Sequence, residues 1–459
     1  MPTDIRGLNE ACGVFGVWGH DEAADMAYYG LHALQHRGQD GAGMVVKNND
    51  KLIRHRGPGL ASEAFPKETL DALIGTAAIG HVRYAMTGEH SQDGYQPRLF
   101  HFEKSSLAIC HNGSLVNSRE LRHDLEYEGS IFQTTSDSET LAHLVRKGRH
   151  AYLLDNLKAA LRKLVGSFTF LLLTQKKLMA ARDPQGIRPL VIGKLGDAYM
   201  VASETCAFDA LGATYIRDVA PGEVIVIDND GLKSDTYTNE TSLSVCCMEY
   251  VYFARPDSDI DGVNVHTSRK NAGRILAMEA PTDADVVVPS PDSGISAAIG
   301  YAEASKIPYE IGLIKNRYAM RTFIAPSQEL REQGVKMKLS AVRAIVENKS
   351  VVLVEDSIVR GTTSKRIVTL LKEAGAKAVH MKVASPLLVH SCCYGIDLHT
   401  TKELIAHNST VEEICKTIGA DSLSYISEAG LIRAIGIQCK KGSGLCMACF
   451  NGNYPVGGR

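Results

Sequence analysis

The stretch V-V-L-V-E-D-S-I-V-R-G-T-T-S, at residues 351–364, decides the fold of the second half of this chain. Its first four residues are apolar and predict a buried parallel strand. The strand ends at two acids, Glu355 and Asp356, and a short loop follows. An apolar periodicity then predicts a helix that begins near Ser364 and stops at Gly375.

The loop between that strand and helix carries groups that suit a sugar phosphate. Carboxylates at a strand end can accept hydrogen bonds from ribose hydroxyls. N–H groups and hydroxyls at a helix N-terminus suit a phosphate, and Gly361 lets the backbone approach closely. The stretch lacks the Gly-Lys-Thr/Ser of a Walker loop. The alternative is an ordinary strand–helix turn with acidic residues.

The rest of the second half alternates strands and helices. Strands are predicted at 285–289, 350–354 and 379–383, and helices at 294–304 and after Ser364. This is the pattern of a parallel sheet with helical crossovers, whose ligand lies at the carboxyl ends of the strands.

The first half has many short apolar runs that predict strands, with three helical patterns between them. The strand-like runs are 14–18, 77–79, 107–110, 168–173 and 224–227, and the helical patterns are 23–34, 138–146 and 153–164. This mixture predicts antiparallel sheets with helices packed outside. The turn signal D-N-D-G at 228–231 and the polar stretch up to Ser244 predict a linker.

Composition indicates a soluble globular protein of two or three domains. The chain has 459 residues, 44% of them hydrophobic, and a formal net charge of −2, which gives no support for binding to nucleic acid. No apolar run predicts a membrane span or a secretion signal. Eleven cysteines, an odd number, disfavour a disulfide framework and favour a cytoplasmic protein with metal-bound or catalytic thiols.

Cys12 begins the segment C-G-V-F-G-V-W-G, after an eleven-residue leader. If the leader is removed, Cys12 becomes a terminal nucleophile whose α-amine can act as general base. The alternative is a small buried residue on an edge strand.

A set of four later residues supplies the remaining groups that amide hydrolysis needs. Arg83 can grip an α-carboxylate, and Asp137 can take an α-ammonium. The Asn112 side chain and the Gly113 backbone N–H can form an oxyanion hole. Taken singly, Arg83 can equally be a surface ion pair and Asn112-Gly113 a hairpin turn.

In this order the set resembles the N-terminal-nucleophile glutamine amidotransferases. The resemblance implies that Cys12 is the nucleophile, Asn112 and Gly113 the oxyanion hole, and that Arg83 and Asp137 hold glutamine. It also implies a four-layer αββα sandwich over residues 12–235 and a propeptide at 1–11.

The segment 351–364 resembles the phosphoribosyl pyrophosphate (PRPP) motif of type I phosphoribosyltransferases. The resemblance implies a parallel-sheet domain over residues 236–459. By that pattern the residues that bind PRPP are Asp292, Ser293, Glu355, Asp356, Ser357, Arg360, Gly361, Thr362 and Thr363, and those at Mg²⁺ are Ser293, Glu355 and Asp356. Glu355 stands where close relatives have aspartate.

The two halves together resemble the amidophosphoribosyltransferase family, and the blocks at 183–190, 202–209 and 249–258 agree. The implied reaction makes 5-phosphoribosylamine, pyrophosphate and glutamate from glutamine, PRPP and water, with ammonia passed between the sites. It is the first committed step of purine synthesis. The basic segment 315–340 resembles the loop that closes over PRPP, with Arg321, Lys336 and Lys338 as binding residues. The alternative is a solvated basic surface loop.

Three cysteine sites in the second half suit a metal: 246–247, 392–393 and the C-x-x-C at 446–449. Four thiolates can hold zinc or a [4Fe–4S] cluster, and spacing does not choose between them. A redox dithiol and free thiols are further alternatives. Resemblance to the iron–sulfur bacterial branch of the family implies a [4Fe–4S] cluster on Cys246, Cys392, Cys446 and Cys449, with Cys247, Cys393 and Cys439 as neighbours.

The family resemblance further implies a homotetramer and feedback inhibition by purine nucleotides. Two alternatives to this function stay open. One is a glutamine amidotransferase with another acceptor, such as an aminosugar synthase or asparagine synthetase. The other is a PRPP-binding regulatory protein without enzyme activity.

Overall fold

The computed structural model describes residues 12–84, 94–103, 105–316, 339–398, 400–439 and 442–457. The predicted propeptide at 1–11 lies outside these residues, as do the predicted PRPP ligands Arg321, Lys336 and Lys338. Within the described part, no helix combines the length and the apolar character needed to cross a membrane.

Two antiparallel sheets form the first half. Their strands are Gly13–Trp18 (β1), Gly41–Asn48 (β2), Lys51–Pro58 (β3), Ala77–Arg83 (β4), Arg98–His101 (β5), Ser106–Leu115 (β6), Gly166–Leu173 (β7), Leu178–Arg182 (β8), Val191–Leu195 (β9), Ala198–Ala202 (β10), Thr214–Asp218 (β11), Glu223–Asp228 (β12) and Gly231–Thr236 (β13). One sheet has the order β11-β9-β10-β1-β4-β2-β3, and the other β13-β12-β8-β7-β6-β5.

The two sheets pack face to face, and helices cover their outer faces. In β1, Val14 and Trp18 point into the core between the sheets, whereas Phe15 and Val17 point to the helical side. This alternation is what a strand buried on both faces requires. The helices of this half are Ala23–Ala33, Ala61–Ala64, Lys67–Asp71, Ser118–Tyr127, Asp137–Lys147, Leu153–Leu161 and Cys206–Leu211, with a 3₁₀ turn at Gln35–Arg37. The predicted αββα sandwich is confirmed.

The predicted linker is wrong over residues 231–236. The D-N-D-G signal is a hairpin that pairs Asp228 with Gly231, and β13 is the edge strand of the second sheet. Its polar sequence reflects exposure at an edge rather than a break between domains. Beyond it, the Ser242 and Ser244 N–H groups donate to Pro184 and Gln185 of the first half.

A parallel sheet organises the second half. The strands there are Val245–Cys246 (β14), Asp259–Ile260 (β15), Val263–Asn264 (β16), Val286–Pro289 (β17), Leu313–Lys315 (β18), Leu339–Ala341 (β19), Ser350–Glu355 (β20), Ala378–Val383 (β21), Ser422–Tyr425 (β22) and Leu445–Cys446 (β23). Strands β17, β20, β21 and β22 form the parallel sheet in that order. This confirms the predicted fold class.

Helices flank both faces of this sheet. They are Val265–Glu279, Ile295–Ser305, Arg343–Val346, Thr362–Glu373, Val411–Ile418, Glu428–Ile435 and Ala448–Asn451, with a π-helical turn at Glu249–Phe253 and 3₁₀ turns at Thr401–Glu403 and Ile405–His407. In β20, Val351 and Leu353 enter one core, and Val352 and Val354 enter the other. Burial on both faces explains the continuous apolar run.

Candidate active sites

Cys12 and Arg83 lie at one end of the first sheet, on neighbouring strands. Cys12 precedes β1, whose Gly13 pairs with Val82 of β4, and Arg83 is the last residue of β4. Cys12 Sγ is 3.9 Å from the carbonyl oxygen of Tyr84. Burial raises the pKa of the Cys12 thiol, while Tyr84 and the Arg83 charge act in the opposite direction. The predicted nucleophile and glutamine ligand are therefore neighbours.

Asn112 and Gly113 lie on β6, opposite Thr169 and Phe168 of β7. Asn112 is 2% exposed, and its Nδ2 has no hydrogen-bond partner among the described residues. A buried amide donor without a partner is costly unless it serves a ligand. Gly113 has φ +119°, and a Cβ there would lie 2.2 Å from the Ser167 carbonyl oxygen, so only glycine fits.

Asp137 is held at the carboxyl end of the same strand. Its Oδ2 accepts a hydrogen bond from the Leu115 N–H at 2.9 Å, and its Oδ1 accepts one from Ser118 Oγ at 2.6 Å. These bonds fix the carboxylate two residues beyond Gly113, although Asp137 begins the helix Asp137–Lys147, further along the chain. This position suits the predicted capture of a substrate ammonium next to the predicted oxyanion hole.

Two buried histidines beside this site received no role from the sequence. His81 shares a face of β4 with Arg83, and burial, with the nearby His111, holds the pKa of His81 well below its ordinary value. Burial also lowers the pKa of His111, whose Nδ1 lies 2.7 Å from Ser138 Oγ. The signal that could have revealed them is a histidine inside an apolar strand run.

The predicted PRPP residues gather at the carboxyl ends of β17 and β20. These strands are adjacent, and Ser290 N–H donates to the Val354 carbonyl oxygen at 2.8 Å. Ser293 and Asp356 line one cavity, together with Tyr250 and Arg269. The structure therefore brings together the two sequence segments that were assigned to the magnesium and the pyrophosphate.

Two neighbouring carboxyl groups in this place lie almost out of solvent. Glu355 and Asp356 are each 6% exposed, and burial and Asp356 raise the pKa of Glu355 well above its ordinary value. Among the described residues, no three acidic, histidine or cysteine side chains meet in the geometry of a metal site. A divalent cation would nevertheless relieve the repulsion between the carboxylates of Glu355 and Asp356. The residues present therefore fit Mg²⁺.

The loop between β20 and the next helix has the features of an anion site. Gly361 has φ +74° and caps the helix Thr362–Glu373, so the helix begins two residues before the predicted Ser364. Thr362 and Thr363 form its first turn, where backbone N–H groups have no partner within the helix. Ser357 Oγ donates to Asp356 Oδ2 at 2.5 Å.

Two of the predicted PRPP ligands are engaged in ion pairs. Arg360 pairs with Glu403, and Asp292 accepts from Lys315 Nζ at 3.0 Å. These pairs lie at the rim, where exposed charges exchange partners at little cost.

The four predicted cluster ligands, all among the described residues, lie in one neighbourhood of the second half, but no three of their thiols meet in the geometry of a metal site. The pairing of β14 with β23 sets Cys246 beside Cys446, and the remaining thiols of Cys392 and Cys449 are close enough to act on both electrostatically. Burial raises the pKa of Cys246 to about 12 and raises that of Cys446 also. Burial, and then the neighbouring Cys449, raise the pKa of the competitor Cys247 well above its ordinary value.

Arg188 provides a test of whether these thiols suit an anionic metal cluster. Its side chain is fully buried, and its Nε has no hydrogen-bond partner in the described part of the chain. Cys246 N–H donates to the carbonyl oxygen of Ile187, one residue before, and Arg188 interacts electrostatically with Cys246 and Cys392. An unpartnered cationic donor beside buried thiols fits a thiolate-bound cluster.

A buried network of charges, which the sequence did not predict, joins the two halves. Arg37 and Arg188 both bond to Glu249, at 2.5 Å and 3.1 Å, and Arg37 also pairs with Glu204. All four side chains are fully buried. Burial opposes the charged form of Glu204, but Arg37 and His36 hold the pKa of Glu204 well below its ordinary value.

This network places the halves in register through the turn Glu249–Phe253. Arg37 packs against Gly13, next to Cys12, while Tyr250 lines the cavity of Ser293 and Asp356. Arg269 donates from Nε to the Tyr250 carbonyl oxygen at 2.6 Å. One turn therefore lines the second candidate site directly and reaches the surroundings of the first through Arg37.

Known proteins agree with this two-site architecture. The model of a glutamine amidotransferase domain matches residues 81–210, which include Arg83, Asn112, Gly113 and Asp137. The first half therefore defines the chain as a glutamine amidotransferase.

Full-length relatives identify the particular family. The chain is 57% identical over 458 residues to the amidophosphoribosyltransferase of Bacillus subtilis (strain 168), covering 99% of this chain and 96% of the relative. It is 52% identical over 457 residues to that of Staphylococcus aureus (strain MRSA252), covering 99% and 92%. The solved B. subtilis glutamine PRPP amidotransferase, complexed with ADP and GMP, matches with a TM-score of 0.93 at 56% identity over 97% of each chain. The chain belongs to the amidophosphoribosyltransferase family, and it is a glutamine-dependent glycosyltransferase of purine biosynthesis.

Proposed function

We propose that this enzyme converts glutamine, PRPP and water to 5-phosphoribosylamine, pyrophosphate and glutamate, with ammonia passed from the Cys12 site to the PRPP site inside the protein. The observation that carries this proposal is the turn Glu249–Phe253, which contacts Arg37 beside Cys12 and lines the cavity of Asp356. Ammonia released into bulk water would be protonated and lost as a nucleophile. A shared buried boundary between the two sites avoids that loss.

In the glutaminase half, Cys12 attacks the glutamine amide carbon. Asn112 Nδ2 and the Gly113 N–H stabilise the oxyanion, and preorganised donors of this kind contribute most strongly in the transition state. Arg83 holds the substrate carboxylate and Asp137 the ammonium. The Cys12 α-amine, freed by removal of residues 1–11, takes the thiol proton and delivers it to the leaving ammonia. Water then clears the glutamyl thioester.

In the transferase half, ammonia displaces pyrophosphate at the ribose C1. Glu355 and Asp356 accept hydrogen bonds from the ribose hydroxyls. Ser357, Arg360, Gly361, Thr362 and Thr363 hold the 5-phosphate at the helix N-terminus. Asp292 and Ser293 face the pyrophosphate, and Arg321, Lys336 and Lys338 bring positive charge to it. Mg²⁺, held by Ser293, Glu355 and Asp356, would neutralise charge on the leaving group.

We further propose that Cys246, Cys392, Cys446 and Cys449 hold a [4Fe–4S] cluster with a structural role. The cluster would cross-link three distant segments of the second half. The unpartnered Nε of the buried Arg188 supports this assignment, because a sulfur ligand there would satisfy it.

Four broader properties are part of the proposal. The B. subtilis relative was solved with ADP and GMP, which supports purine nucleotides as feedback inhibitors. All eleven cysteines lie in the described residues and none forms a disulfide, which supports a cytoplasmic location. We propose a homotetramer and a glutaminase domain over 12–235 joined to a transferase domain over 236–459. Light scattering, ADP and GMP titration of the rate, and mass spectrometry of the N-terminus test the assembly, the inhibition and the cleavage of residues 1–11.

The deciding experiment follows glutamate and pyrophosphate together, in protein purified without oxygen. We expect glutamate release from glutamine to rise when PRPP and Mg²⁺ are added and to match pyrophosphate one for one. Glutamate release that ignores PRPP, with no pyrophosphate formed, would contradict the proposal and indicate another acceptor or a regulatory second half.

Two variants separate the half-reactions. Cys12→Ala should lose glutamine-dependent turnover but still form pyrophosphate when ammonia is supplied. Asp356→Asn should lose pyrophosphate formation from either nitrogen source and retain basal glutaminase activity. If either variant abolished both activities while remaining folded, the assignment of separate sites would be wrong.

A further inference from the structure

A two-residue segment of the second half lies directly against the oxyanion hole of the first. Gly395 has φ +95°, and a Cβ built on it would lie 3.1 Å from the Gly113 carbonyl carbon and 3.2 Å from its oxygen. The Gly395 backbone therefore packs on the Gly113 peptide without any intervening side chain.

Its neighbour Tyr394 is tied to the strand that pairs with Gly113. The Tyr394 carbonyl oxygen accepts hydrogen bonds from Ser167 Oγ and from Arg188 Nη2, each at 2.8 Å. Ser167 is the cross-strand partner of Ser114, and its Oγ also accepts from the Ser114 N–H at 3.3 Å. One carbonyl group thus connects the second half to the residue that follows the oxyanion glycine.

The other side of the segment is tied to the cysteine pocket. Tyr394 N–H lies 3.3 Å from Cys392 Sγ, to which it donates. The Tyr394 hydroxyl bonds to both the carbonyl oxygen and the N–H of Val456, at 2.5 Å and 3.0 Å. The segment is held between a proposed cluster ligand, the end of the described chain and the glutaminase strands.

Gly113 needs such support because it cannot fix its own peptide orientation. Glycine explores more backbone conformations than any other residue, and an oxyanion donor must point at the developing charge to within a fraction of an ångström. The Gly113 backbone packs closely on Ser167 of β7 and is also approached by Gly395. Displacement of Gly395 would allow the Gly113 backbone, and with it the orientation of its N–H, to shift.

We infer that Tyr394–Gly395 is a positioning segment for the oxyanion hole, and that Cys392, when it holds the cluster, fixes this segment in place. The inference rests on the proposed role of Gly113 as an oxyanion donor. Tyr394 and Gly395 touch neither substrate nor reacting atoms, so they act through Gly113.

The test compares Gly395→Ala with Gly419→Ala. Both glycines have a left-handed backbone, but a Cβ at Gly419, with φ +76°, meets nothing within 4 Å. We expect Gly395→Ala to lower the glutaminase kcat about tenfold, a partial loss of one oxyanion donor. The KM for glutamine, ammonia-dependent pyrophosphate formation and the visible absorbance of the cluster should stay as in Gly419→Ala. A glutaminase kcat equal to that of Gly419→Ala, or a raised KM with unchanged kcat, would overturn the inference.

A milder variant serves if Gly395→Ala does not fold. Ser167→Ala removes one of the two hydrogen bonds to the Tyr394 carbonyl oxygen, together with the bond from the Ser114 N–H, and leaves the one from Arg188. We expect a smaller fall in glutaminase kcat with the same unchanged KM. A change confined to KM would count against a positioning role.

The link to the cluster is tested by hydrogen–deuterium exchange. Removal of iron from the wild-type protein by an anaerobic chelator should increase exchange at 390–398 and also at 106–115. Faster exchange at 390–398 with no change at 106–115 would show that the cysteine pocket does not support the oxyanion strand. Because glutaminase activity and exchange need no PRPP, this result is independent of whether the wild type forms pyrophosphate, which decides the proposed function.

Discussion

Arg188 of the first half and Glu249 of the second form a fully buried ion pair, with Nη1 3.1 Å from Oε1. Glu249 bonds to Arg37 as well, and Arg37 also pairs with Glu204, so two guanidinium groups face two carboxylates. The charges balance only when the halves are together.

Removal of one member of this group should therefore be costly. We expect Glu249→Ala to lower the free energy of unfolding by about 3–5 kcal/mol, because it leaves Arg188 buried without a carboxylate and Arg37 paired with Glu204 alone. Denaturant unfolding measures the loss. Glu303→Ala is the control, since Glu303 pairs with Lys270 and Arg274 at the surface. We expect a much smaller effect there; equal losses would show that the buried network has no special role.

Asn112 should matter for glutaminase activity but not for the stability of the fold. We expect Asn112→Ala to reduce glutaminase kcat by about 100- to 1000-fold, as loss of an oxyanion donor does. It should not destabilise the fold, because Nδ2 has no partner among the described residues. Thr169→Val, at the cross-strand position, is the control and should retain activity. Steady-state kinetics and thermal unfolding check both, and a destabilised Asn112→Ala with normal kcat would contradict the role.

The identity of the cluster ligands can be settled by metal analysis. We expect Cys446→Ser to lose iron and sulfide and Cys439→Ser to retain them, when both are purified without oxygen. Cys247→Ser should also retain iron, although the free thiol of Cys247 lies near that of Cys449. Iron lost from Cys247→Ser but kept in Cys446→Ser would reverse the assignment, and zinc in place of iron would replace the cluster with a zinc site.

Lys382 predicts a pH dependence of stability. It is 2% exposed, and burial lowers its pKa from 10.5 to about 8. The unfolded chain then binds more protons than the folded one between those values, so this group makes the fold more stable as pH rises from about 8 to 10.5. Near pH 7 its charged form opposes folding.

We therefore expect Lys382→Met to raise the free energy of unfolding at pH 7 by about 1–3 kcal/mol. The gain should shrink towards pH 10, because the folded lysine is then neutral and its deprotonation from an unfolded pKa of 10.5 costs little. Urea unfolding at the two pH values measures this. Lys365→Met, at an exposed helix position, should change little at either pH. A gain that does not depend on pH would attribute the effect to packing alone.

Local patterns predicted the parts of this protein that are local in the fold. The strand, loop and helix at 351–364 follow from adjacent residues, and the helix was misplaced only by the left-handed cap at Gly361. The polar strand β13 was taken for a linker, because an edge strand with little burial has no apolar signature. The order of Cys12, Arg83 and Asn112 was informative only through family resemblance.

The buried charge network could not be predicted from local pattern. Arg37 and Glu249 are 212 positions apart, and nothing in either neighbourhood specifies the partner. The contact between Gly395 and Gly113 could not be predicted either. A single glycine is compatible with many local structures, and neither neighbourhood indicates the partner. Contacts of this kind depend on how two completed halves dock, which composition and periodicity do not encode.

The pairing of β14 with β23 has a consequence for how the protein is made. Cys246 contacts Cys446, and Tyr394 contacts Val456, so neither contact can form until the later segment of each pair has been synthesised. The glutaminase strands are synthesised before Tyr394 and Gly395, which pack against them. A shortened chain that stops before Val456 would carry every residue assigned to amide hydrolysis and still lack the hydrogen bonds that hold the Tyr394 hydroxyl. In such a chain Tyr394–Gly395 would be held less firmly behind Gly113.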